Sequence, residues 1–179
     1  RRLFGLLDEE LGRHGTQGEL FVVGGAVMCL AYAARPATRD VDAWFRPARE
    51  VREAARRVAG RASVPPDWLN DAVKGFLSDK GDFLPFLELP NLRVMVAAPE
   101  YLLAMKCLSM RIGAEFRDEE DVRYLLRYLN LETYDAAVEV ITTAAVHLMS
   151  AASVKVGLAD SPEAQTDLDE ARKLINALA

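Results

Sequence analysis

An α+β fold is predicted for this chain, with strands gathered in the first half and helices filling the second. Three observations predict it. Short apolar runs bounded by Gly, Pro and Asn cluster before residue 98. Apolar residues recur at helical spacing at the very start and again after residue 99. The 51% hydrophobic and 27% charged content supplies enough apolar surface for a real core. A length of 179 residues suits one domain, or one with a small helical part appended. The expected division is a core over 1–98 and a helical part over 99–179, packed on that core.

The elements follow in order. Leu3, Leu6, Leu7 and Leu11 share one helical face, and Gly15 ends that helix. Residues 19–23 read as a short buried strand running into Gly24 and Gly25. Residues 26–34 suit a helix that Pro36 stops near Arg35. Residues 40–45 alternate as Asp, Val, Asp, Ala, Trp and Phe, a strand with both aspartates on one face. Pro47 is placed to open a helix to about Gly60, with Val51, Ala54, Ala55 and Val58 as its apolar stripe. Residues 67–77 read as another short helix. Residues 83–89 and 92–98 read as two strands around the turn at Pro90 and Asn91. Pro99 starts an apolar helix to about Ile112, and Asp118 opens the next, carrying Val122, Leu125, Leu126 and Leu129. Two more helices are expected in the remainder, one of them starting at Ser161-Pro162. There is no internal repeat and no low-complexity tract.

Composition narrows the functional classes. A formal charge of −5 argues against a basic nucleic-acid coat, so any contact with nucleic acid must use a local patch. Cys29 and Cys107 form no CxxC pair, and only His14 and His147 could add imidazole ligands, which disfavours a structural zinc site or a disulfide framework. Lys106, Glu139 and His147 interrupt the longest apolar runs, so no membrane span is expected. Asp8, Glu9 and Glu10 follow the first two arginines too closely for a signal peptide, and the cytoplasm is the expected compartment.

The stretch from Gly24 to Phe45 carries the chemistry. Two carboxylates on one strand face repel each other unless a cation sits between them. Magnesium suits hard oxygen ligands and binds through one or two carboxylates together with substrate phosphates. Paired glycines after a strand let backbone N–H groups approach phosphate oxygens with no Cβ in the way, and the start of the following helix would favour the same anion. Gly-Gly alone is a common turn, and Asp-x-Asp alone is common on exposed edge strands. Their order is the informative feature: strand, Gly-Gly, helix, loop, then Asp40 and Asp42 inside an apolar strand. Thr38 and Arg39 are placed to touch substrate phosphates.

The stretch "VVGGAVMCLAY…ATRDVDAWF" resembles the nucleotidyltransferase superfamily related to DNA polymerase β, and within it the AbiEii-like and MenT-like toxin nucleotidyltransferases of bacterial toxin–antitoxin systems. The resemblance runs from about Phe21 to Leu129. It implies a polymerase-β-like core, a small mixed sheet with flanking helices, followed by a helical half. It also implies Asp40 and Asp42 as metal ligands for Mg2+ or Mn2+, with Gly24 and Gly25 on the nucleotide. That branch adds a Lys, a following Arg and an Asp-x-x-Asp, matched here by Lys106, Arg111, Asp118 and Asp121. The implied activity is transfer of a nucleoside monophosphate from an NTP to an acceptor hydroxyl, with release of pyrophosphate. The implied acceptor is the 3′ end of tRNA, which would make the chain a toxin that blocks translation and is held by a cognate antitoxin protein.

Residues outside the glycine–aspartate stretch have structural readings beside the functional ones. Lys106 falls among Leu102, Leu103 and Met110, where burial is costly unless its ammonium group reaches water or an anion such as the triphosphate. On that reading, Lys106→Ala should leave stability unchanged or raised. Asp118 suits both a helix cap and a catalytic role, and Asp121 is expected to face Arg111 or solvent. A third metal carboxylate is not evident, with Glu88 a weak candidate. Arg49, Arg52, Arg56, Arg57 and Arg61 form a solvated helix face or, less simply, a patch for an RNA backbone. Ser109 and Cys107 have no histidine nearby in sequence, so no nucleophilic triad is expected. The rival functions are nucleotidyl transfer to a protein or small molecule, a non-catalytic antitoxin or scaffold domain of the same fold, and a sugar transferase using Asp-x-Asp.

Overall fold

The computed structural model describes residues 1–75, 77, 81–109 and 117–156. The chain divides into two compact units, one of Arg1–Lys74 with Phe83–Ala97, the other of Gly75–Asp82 with Ala98–Ala179. The architecture is mixed α+β, with one five-stranded sheet and six α-helices among the described residues.

The first unit opens with α1 (Arg2–Arg13), which buries Phe4, Leu7 and Leu11. Next come β1 (Gly18–Val22), α2 (Gly24–Leu30), β2 (Val41–Arg46) and α3 (Ala48–Ala62). A two-residue strand β3 (Leu69–Asn70) precedes the hairpin of β4 (Phe83–Glu88) and β5 (Leu92–Ala97). The sheet order is β3-β2-β1-β5-β4. β1 runs antiparallel to β2 and parallel to β5, β2 runs parallel to β3, and β4 runs antiparallel to β5.

The strands β1, β2 and β5 alternate along most of their length, as a half-covered sheet requires. Leu20, Val22, Ala43, Phe45, Val94 and Val96 are buried, while Phe21 and Trp44 are half-buried and stack with ring centroids 4.9 Å apart. The start of β1 is crowded. A Cβ on Gly18 would lie 2.8 Å from Leu11 Cδ1 of α1 and 3.2 Å from Val51 Cγ2 of α3. Both helices therefore close down over that end of the strand. The buried stripe of α3 is the predicted one, Val51, Ala54, Ala55 and Val58, with Ala59 added.

The helix predicted over 67–77 is not formed. Leu69 and Asn70 pair with Val41 and Asp42 as β3, and a single 3-10 turn covers Ala72–Gly75. Trp68 is the physical reason. Its ring is buried, its indole N–H donates to the Ala55 carbonyl at 3.0 Å, and its own carbonyl accepts from Val41 N–H at 2.7 Å. These contacts, made across long sequence distances, hold the segment extended beside β2.

The second unit is helical, with α4 (Pro99–Leu108), α5 (Asp118–Tyr128) and α6 (Tyr134–Val156). α4 buries Tyr101, Leu102, Leu103, Ala104, Lys106 and Cys107 and packs against both α5 and α6. The end of the helix predicted over 99–112 and the helix predicted from Ser161 lie outside the described residues. Among the described residues no helix is long and apolar enough to cross a membrane.

Candidate active site

The site is built where β1 gives way to α2 and β2 begins. Val23 is still extended, at φ −132 and ψ −173, and its N–H donates to the Asp42 carbonyl at 2.9 Å. That bond draws the start of β2 alongside the end of β1. Gly24 then turns the chain into α2 with a positive φ of 64, a conformation that costs an L-residue steric energy and glycine none. A Cβ at this position would stand 3.1 Å from Asp42 Oδ2. The bare glycine is what allows the Asp42 carboxylate to lie against the backbone here.

Gly25 faces different chemistry. A Cβ there would stand 3.1 Å from Thr38 Oγ1 and 3.3 Å from Arg35 Nη1. Consecutive glycines therefore carry a carboxylate on one and a hydroxyl with a guanidinium on the next. The loop that delivers these groups is fastened by Tyr32, whose hydroxyl donates to the Ala97 carbonyl of β5 at 3.2 Å.

Asp40 lies one residue ahead of β2 rather than inside it, and it is exposed. Its side chain is held toward the sheet end by Asn70, whose Nδ2 donates to Asp40 Oδ2 at 3.5 Å. Asn70 is the β3 partner of Asp42 in the ladder. Partial loss of hydration and repulsion from Asp42, with a contribution from Asp67, raise the Asp40 carboxyl above the ordinary aspartate value, against the opposing pull of Arg39. The charge of Asp42 is thus one of those that act on Asp40. Two carboxylates under mutual repulsion, beside a glycine backbone no Cβ obstructs, fit a hard divalent ion whose remaining ligands are phosphate oxygens and water.

Of the residues expected at a site, Gly24, Gly25, Thr38, Arg39, Asp40 and Asp42 come together in the first unit. Glu88 does not join them. It ion-pairs with Arg93 at 3.4 Å, three strands across from β2 and level with Arg46, which itself lies four residues, roughly 13 Å, along β2 from Asp42. Among the described residues, no group of three or more His, Cys, Asp and Glu side chains converges. Arg35 and Asn70 join the site without being singled out by sequence reasoning. The only sequence signal for Arg35 is its place beside Pro36 in a loop that must double back past Gly25.

The arginines of α3 are largely engaged with carboxylates. Arg52 pairs with Asp71, Arg49 pairs with Glu53 at 3.1 Å, and Arg57 and Arg61 reach Glu10 of α1 at 2.6 and 3.2 Å.

In the second unit Lys106 is buried, and its Nζ lies 2.7 Å from Asp118 Oδ1 and 2.8 Å from Asp121 Oδ2. The expectation that its ammonium group escapes burial through water or substrate is therefore corrected: two carboxylates, three residues apart on one face of α5, meet it inside the protein. Asp121 does not face solvent, because its side chain is only 5% exposed. Asp118 is the first residue of α5, whose N-cap, Arg117, makes no side-chain capping bond. Arg111 lies outside the described residues.

The chain matches no protein-family model, no curated protein and no solved structure at a significant level.

Proposed function

We propose that this chain is a nucleotidyltransferase dependent on magnesium or manganese, with a polymerase-β-like core in its first unit. The observation that carries the reading is the placing of Asp42 Oδ2 3.1 Å from where a Cβ on Gly24 would stand, with Asp40 near enough to feel its charge. Asp40 and Asp42 would hold the cation. The Gly24 and Gly25 amides would face the phosphates of an NTP. A bound cation supplies charge neutralisation at the α-phosphate and activation of the acceptor hydroxyl. The acceptor hydroxyl would give its proton to solvent as its oxygen bonds to the α-phosphorus, the bond from that phosphorus to the β-phosphate oxygen would break, and pyrophosphate would depart. Most of the acceleration in such transfer comes from positioning and charge stabilisation, which this constellation is suited to provide.

The resemblance to AbiEii-like and MenT-like toxins extends the proposal to an RNA acceptor, the 3′ end of tRNA, and to an antitoxin partner. Lys106 and Asp118, which the resemblance would add to the catalytic set, are ion-paired with each other. The reading here rests on the first unit alone.

Incubation with each labelled NTP, magnesium, total tRNA and cell protein tests it. Label is expected in the tRNA fraction and should vanish in Asp40→Asn and Asp42→Asn proteins that still fold. Label in the protein fraction would redirect the acceptor, and no label in any fraction would overturn the transferase reading. Expression in bacteria adds a second readout: growth arrest by wild type alone supports a catalytic toxin, whereas equal arrest by both variants points to arrest by binding.

A further inference from the structure

The apposition at Gly25 assigns a function to a residue that the Asp-x-Asp reading leaves unused. We propose that Arg35, with Thr38 beside it, receives the terminal phosphates of the nucleotide and makes the site selective for triphosphates over monophosphates. This inference rests on the transferase reading of the same site.

Charge is distributed in opposite senses along the glycine pair. At Gly24 the neighbouring group is the carboxylate of Asp42, with Oδ2 3.1 Å from a Cβ position. At Gly25, one peptide later, it is the guanidinium of Arg35, with Nη1 at 3.3 Å and Cζ at 3.5 Å from the corresponding position. A nucleoside triphosphate bound to a divalent ion has a matching polarity. Its metal-coordinating oxygens belong near carboxylates, and its remaining negative charge needs donors further along the tail.

A guanidinium meets that need better than an ammonium group, since it is planar, stays charged and offers forked N–H donors to two phosphate oxygens. Arg35 is half-buried, so less of its freedom remains to be lost on binding than for a solvent-exposed arginine. Arg39 is exposed and acts on the field around Asp40, which places it on the carboxylate side. Thr38 Oγ1, 3.1 Å from the Gly25 Cβ position, adds a neutral donor on the Arg35 side. With no side chain at residue 25, the Thr38 hydroxyl and the Arg35 guanidinium both lie close over the same backbone position.

The test is calorimetric titration of the full chain with inorganic pyrophosphate in EDTA, then with a non-hydrolysable NTP and the matching NMP in magnesium. Wild type should bind pyrophosphate and prefer the triphosphate. Arg35→Ala should weaken pyrophosphate and triphosphate binding by about tenfold to a hundredfold, the loss of a charge-assisted contact. NMP binding should be unchanged. Arg35→Lys should recover only part of the loss. Unaltered pyrophosphate binding by Arg35→Ala would overturn the assignment, as would an equal loss of NMP binding, which would mean a collapsed loop. Asp42→Asn separates the two readings: if it abolishes transfer while Arg35→Ala leaves binding intact, the transferase stands and the Arg35 assignment falls. Pyrophosphate binding that depends on Arg35, in a protein that labels nothing, would instead keep the Arg35 assignment and remove the transferase.

Discussion

Gly24 and Asp42 occupy complementary space: the hydrogen of the glycine leaves the gap that the aspartate carboxylate fills, with Oδ2 3.1 Å from where a Cβ would stand. The backbone at residue 24 is also left-handed, at φ 64. Gly24→Ala is therefore penalised twice, once by strain of about 1–2 kcal/mol and once by displacement of Asp42. Urea denaturation should show the stability loss, and nucleotide transfer should fall further than the unfolded fraction explains. Gly25→Ala provides the contrast. No positive φ is involved, and its Cβ would press on Thr38 and Arg35 side-chain ends, which can move. Stability should be nearly retained there while triphosphate binding weakens. Equal destabilisation by the two substitutions would refute this account of residue 24.

Asp40 yields a pH signature with a definite sign. Its raised pKa, caused by partial burial and the Asp42 charge, means that the folded state binds a proton more readily than the unfolded chain does. Stability should therefore decline as pH rises from the ordinary aspartate pKa through the raised one, and the full penalty should persist above it. Asp40→Asn removes the charge. The variant should match wild type at about pH 3 and exceed it at about pH 7, the ordinary aspartate pKa lying near 4. Magnesium should narrow the gap by satisfying the pair. Denaturation curves at both pH values, with and without magnesium, check each step.

What the sequence reveals and what it hides divide along contact range. Gly24-Gly25 and Asp40-Val41-Asp42 are legible because strand alternation and glycine punctuation are local properties. β3 is not, since Leu69 and Asn70 are extended only through the ladder to Val41 and Asp42 and the anchoring of Trp68 under α3. Arg35 stays hidden because loop geometry, rather than spacing, brings it to Gly25. Nothing local marks Glu10, the last of three consecutive acids, for burial. It is nevertheless 5% exposed because arginines blanket it. Burial alone would raise its pKa, but hydrogen bonds from Arg57 and Arg13 outweigh that and lower it.

Cys107 should be chemically silent in the native protein. It is 6% exposed, and burial pushes its thiol up to about 12, so almost no thiolate exists at neutral pH. Iodoacetamide followed by peptide mass spectrometry should find Cys107 unmodified in the folded chain and modified in denaturant. Rapid native modification would show that α4 opens far more readily than its buried packing indicates.

Lys106 reverses the stability expectation drawn from its helix alone. On an apolar face a lone lysine is a burden, and its removal should help. In the structure its ammonium group compensates two buried carboxylates, Asp118 Oδ1 at 2.7 Å and Asp121 Oδ2 at 2.8 Å. Lys106→Ala would take away a cation that both carboxylates meet between α4 and α5, and breaking a buried pair from one side typically costs about 3–5 kcal/mol. The variant should unfold at much lower urea concentration. Neutralising the partners tests the cause. Lys106→Met combined with Asp118→Asn and Asp121→Asn removes every charge of the trio and should recover most of the loss, because replacing a buried ionic group as a whole is often close to neutral. If Lys106→Ala melts like wild type, the trio does not hold α4 to α5. If the triple variant is no more stable than Lys106→Ala, the lost charge pairing is not the reason for the loss.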